Sequence, residues 1–312
     1  MSSKIITASV KDMRMLFREK TFTLILAIFI LMGITSTYIG WSSQHTIQQV
    51  YDETARELMR SGNTAPPSPL SSISPLSLMK NMIIYMVLIG SILAIILGHS
   101  LLVNDRKSNV TKIIFSRPFS KKEYLLGKIV TVSAILLFAL ILSMVLSTIP
   151  ILILSAISMV SVINMLVFYS VSFIFLAGFA CLGVFFGLKE NNSTKAILLP
   201  MIIWILIIFA LPELGSALYP TSSLNPILPE TRILDSQSLK IIHTIIYPLS
   251  ISEQYKEFSA NTLGISSSQT SNISAYPQLT QLIILLAWLI TCLGLSYHAI
   301  TKFDASSGDN YE

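Results

Sequence analysis

The sequence predicts an all-α polytopic membrane protein: one transmembrane domain over 1–312 with six spanning helices, an N-terminal interfacial helix, a short cytoplasmic helix and re-entrant or extracytoplasmic segments. Three observations carry this. Apolar residues make up 53% of the chain and charged residues 12%, against about 25% charged in an average soluble domain. Mean hydropathy is +0.70, more apolar surface than a soluble chain of this length can bury. The apolar residues also fall in runs of the roughly 20 residues a helix needs to cross the hydrocarbon core.

Residues 1–20 come first. Ile6, Val10, Met13 and Phe17 recur at spacings of 4, 3 and 4, with Lys4, Lys11, Arg14 and Arg18 around the same helix; this amphipathic pattern suits a helix lying in the membrane interface. The spans follow at 21–40, 81–103, 125–149, 162–188, 196–211 and 279–300. The first is too long for a secretory signal and no small-residue cleavage site follows it, so it reads as a retained anchor. The fifth is the weakest: it is short, carries Pro200 near its start and stops at Pro212, which predicts a short or broken helix.

Orientation follows from the 21 Lys and Arg residues. With the N-terminus cytoplasmic, 15 of them fall on that side and 6 outside, a clear positive-inside bias. The expectation is a multi-pass protein of the plasma or inner membrane with both termini cytoplasmic. The net charge of +5 therefore reports topology, and no nucleic-acid partner is implied.

Between the spans lie two outer segments, 41–80 and 212–278. In the first, 44–60 suits a short polar helix and 61–75 a Ser/Pro-rich connector. In the second, Pro212, Pro220, Pro226 and Pro229 prevent a continuous helix. The apolar stretch 239–249 has re-entrant or interfacial length, and 266–274 reads as a polar surface loop. Either outer segment could hold an extracytoplasmic partner protein.

The cytoplasmic loop 104–124 has the sharpest pattern. Asp105, Arg106, Lys107, Ser108, Thr111, Lys112, Ile113, Ile114 and Phe115 read as a short helix with a charged start and an apolar end, broken at Arg117-Pro118. Ser120 and Glu123 then have the spacing of a capping box that starts the next helix. Ile113, Ile114 and Phe115 exposed together would be costly in water, which predicts a docking surface.

Much chemistry is missing. The central parts of the spans carry no Asp or Glu, which argues against ion-coupled transport. The chain has no G-x-x-x-x-G-K-[ST] phosphate loop, no H-E-x-x-H and no G-x-S-x-G, so no ATP site of that kind and no catalytic set is expected in it. Cys181 and Cys292 sit inside apolar runs, which excludes a disulfide framework. The four histidines are too scattered for a metal set. Met79, Met82 and Met86 at helical spacing could pass Cu(I) as soft thioethers, though methionine so spaced is ordinarily packing. Gly90, Ala94 and Gly98, together with Gly183 and Gly187, make small-residue stripes that suit close helix contact, within one chain or between two.

Read together, Asn104-Asp105-Arg106-Lys107-Ser108-Asn109, Phe115-Ser116-Arg117-Pro118-Phe119-Ser120-Lys121-Lys122-Glu123-Tyr124 and Gly127-Lys128 resemble the inner loop of type-2 ABC exporter permeases. In that family an acidic-basic pair opens a helix, an apolar segment ends in S-R-P, and a basic-acidic stretch leads into L-L-G-K. The similarity looks closest to the branch containing the membrane subunit of the nitrous oxide reductase copper-maturation transporter. Ser108-Asn109-Val110 departs from the Gly-Thr-Leu-like sequence of relatives. The resemblance implies a permease that pairs with a second permease copy, as homodimer or heterodimer, and with two separate ABC ATPase subunits. These would hold ATP and Mg and dock on 104–124, the coupling helix. It implies no enzyme activity and no cofactor in this chain. A non-transporting membrane scaffold or assembly subunit of an envelope complex is the alternative from a different class.

Overall fold

The computed structural model describes residues 2–18, 20–68, 74–107, 110–116, 120–154, 159–212, 247–265 and 277–303. Among these, every regular element is helical, and six helices are long and apolar enough to cross a membrane. The amphipathic helix α1 (Ser2–Arg18) leads through Lys20, which adopts a left-handed conformation (φ 59°), into α2 (Thr21–Arg60).

Helix α2 corrects one expectation. Instead of a span followed by a separate polar helix, 40 residues form one uninterrupted helix. At 1.5 Å per residue it is about 60 Å long, roughly twice the hydrocarbon thickness. Residues 41–60 contain neither glycine nor proline, so nothing breaks the backbone where the apolar stretch ends. The helix stops at Ser61, and Gly62 takes a positive φ of 80°. Tyr51 Oη donates to the Pro66 carbonyl at 2.5 Å, folding the connector back along this extension.

The second span, α3, runs over 75–107. It opens as a 3-10 turn (Pro75–Met79) capped by the Ser74 side chain and contains a π-helical turn (Met86–Gly90) before its long final stretch, Ser91–Lys107. A short helix α4 (Val110–Phe115) leads to α5 (Lys121–Leu154) and α6 (Met159–Lys189). Helix α7 (Ser193–Ile205) is capped by Asn192 and continues as a π turn (Leu206–Ala210). It runs helically through Pro200 and spans 18 residues with the π turn, so of the expected short or broken helix it is the short one. Trp204 Nε1 donates to Ser91 Oγ at 2.6 Å and pins α7 to α3.

Helix α8 (Ile251–Thr262) and the last span, α9 (Gln278–Lys302), complete the fold. Of the stretch 239–249, residues 247–249 are helical and the rest lies outside the described residues, as does 266–274. Among the described residues of the second outer segment, those of α8 pack inward. Ser252, Gln254, Tyr255 and Ser259 are all fully buried, and Tyr255 stacks on Phe175 with ring centroids 4.4 Å apart. Tyr255 Oη also lies 2.7 Å from Ser172 Oγ, which joins α8 to α6.

Helix α6 is the centre of the bundle. Of its apolar window 83% is buried, against 22% for α9. It packs most extensively on α3 and α9, and the α3 contact depends on glycine. A Cβ on Gly98 would lie 2.1 Å from the Ala180 carbonyl oxygen, and one on Gly183 would lie 2.4 Å from that of Ile95. Gly90 and Gly187 face Leu176 and Leu102 across the same contact, and Ala94 is fully buried. The small residues thus meet within one chain. Met79, Met82 and Met86 are fully buried members of the same apolar core.

Candidate functional site

At the end of the bundle that carries α1 and α4, four charged side chains converge from three helices. Lys128, two turns into α5, is 1% exposed, and Asp105 near the end of α3 is 0% exposed. Lys128 Nζ lies 2.5 Å from Asp105 Oδ2 and 2.9 Å from Asp12 Oδ2 of α1, and it donates to the Leu101 carbonyl at 3.0 Å. Three acceptors thus match the three N–H donors of an ammonium. Lys11 Nζ closes the cluster, 2.9 Å from Asp105 Oδ1 and 3.2 Å from Asp12 Oδ1. Tyr124 Oη donates to Asp105 Oδ2 at 3.0 Å. Burial works against the Lys11 ammonium, but Asp105 and then Asp12 more than offset it and hold its pKa above the ordinary lysine value.

The sequence places these groups. In α1, Ser9, Asp12 and Leu16 share one face at helical spacing, and all three are buried. Ser9 Oγ donates to the Gly127 carbonyl at 3.1 Å, and the absence of a side chain at Gly127 leaves Ala8 room to approach. The opposite stripe points away from the bundle: Ile6 is 58% exposed, Val10 is exposed and Met13 half-buried. Exposed apolar residues on a basic amphipathic helix are the surface an interfacial helix offers to lipid. The side chain of Phe17 is outside the described set.

Arg106 makes the second anchor. Its guanidinium donates from Nη1 to the Glu190 carbonyl at 2.6 Å and from Nη2 to the Leu188 carbonyl at 2.7 Å. It also lies 4.8 Å from the centroid of Phe303. The planar fork thereby satisfies carbonyls at the end of α6 that have no partner within that helix. Asp105 and Arg106 are therefore turned into the chain itself rather than presented at its surface.

Beyond them, α4 is tethered at its far end. Phe115 packs on Tyr124 and Phe303 with centroid distances of 5.4 and 6.0 Å. Ile114 and Phe115 are half-buried against the core, so these two are only partly exposed, Phe115 being covered by Tyr124 of α5 and Phe303 just past α9. Thr111 is buried. Lys107, Lys112 and Ile113 are helical, with side chains outside the described set, and Ser108, Arg117 and Pro118 lie outside the described residues. The capping box forms reciprocally, Glu123 N–H donating to Ser120 Oγ at 3.2 Å and Ser120 N–H to Glu123 Oε2 at 3.0 Å.

Sequence reasoning missed Asp12 and the role of Lys128. Asp12 is the one acid among the basic residues of α1, and Lys128 is a cation placed inside the start of a span. Each was a signal that a buried counter-charge was needed.

A bundle of six helices long and apolar enough to cross a membrane, braced at its charged end by an ionic cluster, has the architecture of a multi-pass membrane protein. The sequence model described as ABC-2 family transporter protein matches residues 6–306, nearly the whole chain. The protein belongs to that family and is a permease subunit of an ABC transporter. The match is to the family as a whole and does not carry the narrower copper-maturation branch. No curated protein matches the chain. Permeases of this family work with ABC ATPase subunits.

Proposed function

We propose that the chain is the permease of an ATP-driven exporter in which α4 is the coupling helix. Two copies of a separate ATPase, holding ATP and Mg, would dock on the 104–124 loop of a permease pair, with both termini cytoplasmic in the plasma or inner membrane. The observation that supports this reading is the cluster at the root of α4, in which Asp12, Asp105 and Lys128 are buried and the partly exposed Lys11 closes the outer side. Separating one partner from such a cluster costs about 3–5 kcal/mol. The α4 root, α1 and the start of α5 therefore move as one body, and a push on α4 reaches three helices instead of bending a loop. Arg106 and Phe115 extend the same connection to α6 and α9. Closure of a nucleotide-bound ATPase pair can then bias the bundle between two packings.

The test is co-purification of the assembled complex carrying Lys112→Glu or Ile114→Asp. Both are expected to lower retained ATPase and transport-coupled hydrolysis, while elution of the permease is unchanged. Undiminished ATPase retention and activity in both variants would overturn the reading. An intact complex whose hydrolysis no cargo stimulates would favour the scaffold.

A further inference from the structure

A cavity of about 560 Å³ opens beside the ionic cluster, between the ends of α6 and α9. One side of its lining is cationic, with Arg106, Lys189 and Lys302, and the other is apolar, with Phe185, Leu295 and Phe303. No Asp or Glu is among its described lining residues. We propose that this cavity binds the phosphate-bearing headgroup of an anionic phospholipid, whose acyl chains lie along the apolar wall.

Three features lead there. Basic residues in the last turn of a helix ordinarily cap its free carbonyls, but here those carbonyls are taken by other cations. Arg106 holds those of Leu188 and Glu190, and Lys121 Nζ donates to those of Phe303 at 2.7 Å and Thr301 at 3.4 Å. The ammonium groups of Lys189 and Lys302 are exposed and left to face the cavity. Lys189 lies 5.6 Å from the Phe185 ring centroid, so the cationic and apolar walls meet there. Like charges gathered without a carboxylate repel one another, and an anion between them relieves this.

The position selects a lipid over a soluble anion. The cavity sits where two spans end, at the level of α1, and an apolar wall of Phe185, Leu295 and Phe303 has no use for free phosphate. Basic pockets between spanning helices near a membrane surface suit acidic headgroups. The inference does not depend on ATPase docking; it needs only that the ends of α6 and α9 lie at the membrane surface.

The test uses the full-length protein in mixed micelles of phosphatidylglycerol and phosphatidylcholine, with retained lipid read by native mass spectrometry. Wild type is expected to retain phosphatidylglycerol preferentially. Lys189→Ala with Lys302→Ala should lower that preference by about fivefold per lysine, and Lys195→Ala, outside the lining, should leave it unchanged. An unchanged preference in the double variant would overturn the proposal, as would an equal loss in Lys195→Ala. Lysine-dependent binding of inorganic phosphate, without preference between the two lipids, would overturn the lipid assignment in favour of a soluble anion.

Discussion

Lys128 Nζ and Asp105 Oδ2 meet at 2.5 Å with both side chains almost wholly withdrawn from solvent, joining the end of one span to the start of the next across the loop between them. Removing Lys128 leaves Asp105 and Asp12 buried and short of a counter-charge. Lys128→Met is expected to destabilise the purified permease by about 3–5 kcal/mol, read by thermal unfolding in detergent. Adding Asp105→Asn should recover part of the loss, because the remaining Lys11 and Asp12 can then pair with each other. Strict additivity of the two substitutions would show that the cluster does not act as a unit.

The α3–α6 contact makes a second prediction. At Gly98 an added methyl would collide with backbone oxygen, which no side-chain rearrangement relieves. Gly98→Ala should cost about 1–3 kcal/mol. Gly294→Ala, where a Cβ would meet nothing within 4 Å, should be neutral or slightly stabilising through the backbone entropy of glycine. Comparing the two melting temperatures checks this, and equal shifts would contradict the close approach.

Helix α8 should be sensitive to pH through Glu257, which accepts a hydrogen bond from Tyr247. Burial raises its pKa above 4.5 and the nearby Glu253 charge adds to this, outweighing the hydrogen bond from Tyr247. The folded state therefore holds its proton more tightly than the unfolded state. The resulting stability is fully present below 4.5 and is lost as pH rises through the higher folded value. Hydrogen exchange of α8 amides, corrected for intrinsic rates, should show declining protection across that window. Glu257→Gln should flatten the dependence.

The capping box at the start of α5 can be tested separately. Ser120→Ala removes the acceptor for Glu123 N–H and should cost about 1 kcal/mol, seen as faster amide exchange confined to the first turn of α5. Loss of protection throughout α5 would mean that the cap holds more than its own turn.

How much was legible depended on whether a feature was local. The six spans could be read because each carries its apolar residues in one stretch. The Ser120–Glu123 cap was legible because both partners are three residues apart. Helix α8 was not: Ser252, Gln254 and Ser259 are polar residues with no spanning pattern around them, yet they are fully buried because α6, α9 and the end of α7 pack against this helix. The 40-residue length of α2 was missed for a related reason. Hydropathy marks where the membrane stops, and the backbone ladder needs only the absence of a breaker to continue past it.

The sequence by itself determined that this chain lives in lipid, how many times it crosses, and which loop is distinctive, since composition, run length and motif spacing are properties of the linear chain. Only the tertiary structure decided what that loop's residues touch. Asp105 and Arg106 read as the charged start of a short helix, but Lys11, Lys128 and the last carbonyls of α6 meet them from residues 82 to 94 positions away, or 23 in the case of Lys128. A buried charge must find a counter-charge wherever the fold brings one, and that choice is invisible until the helices pack.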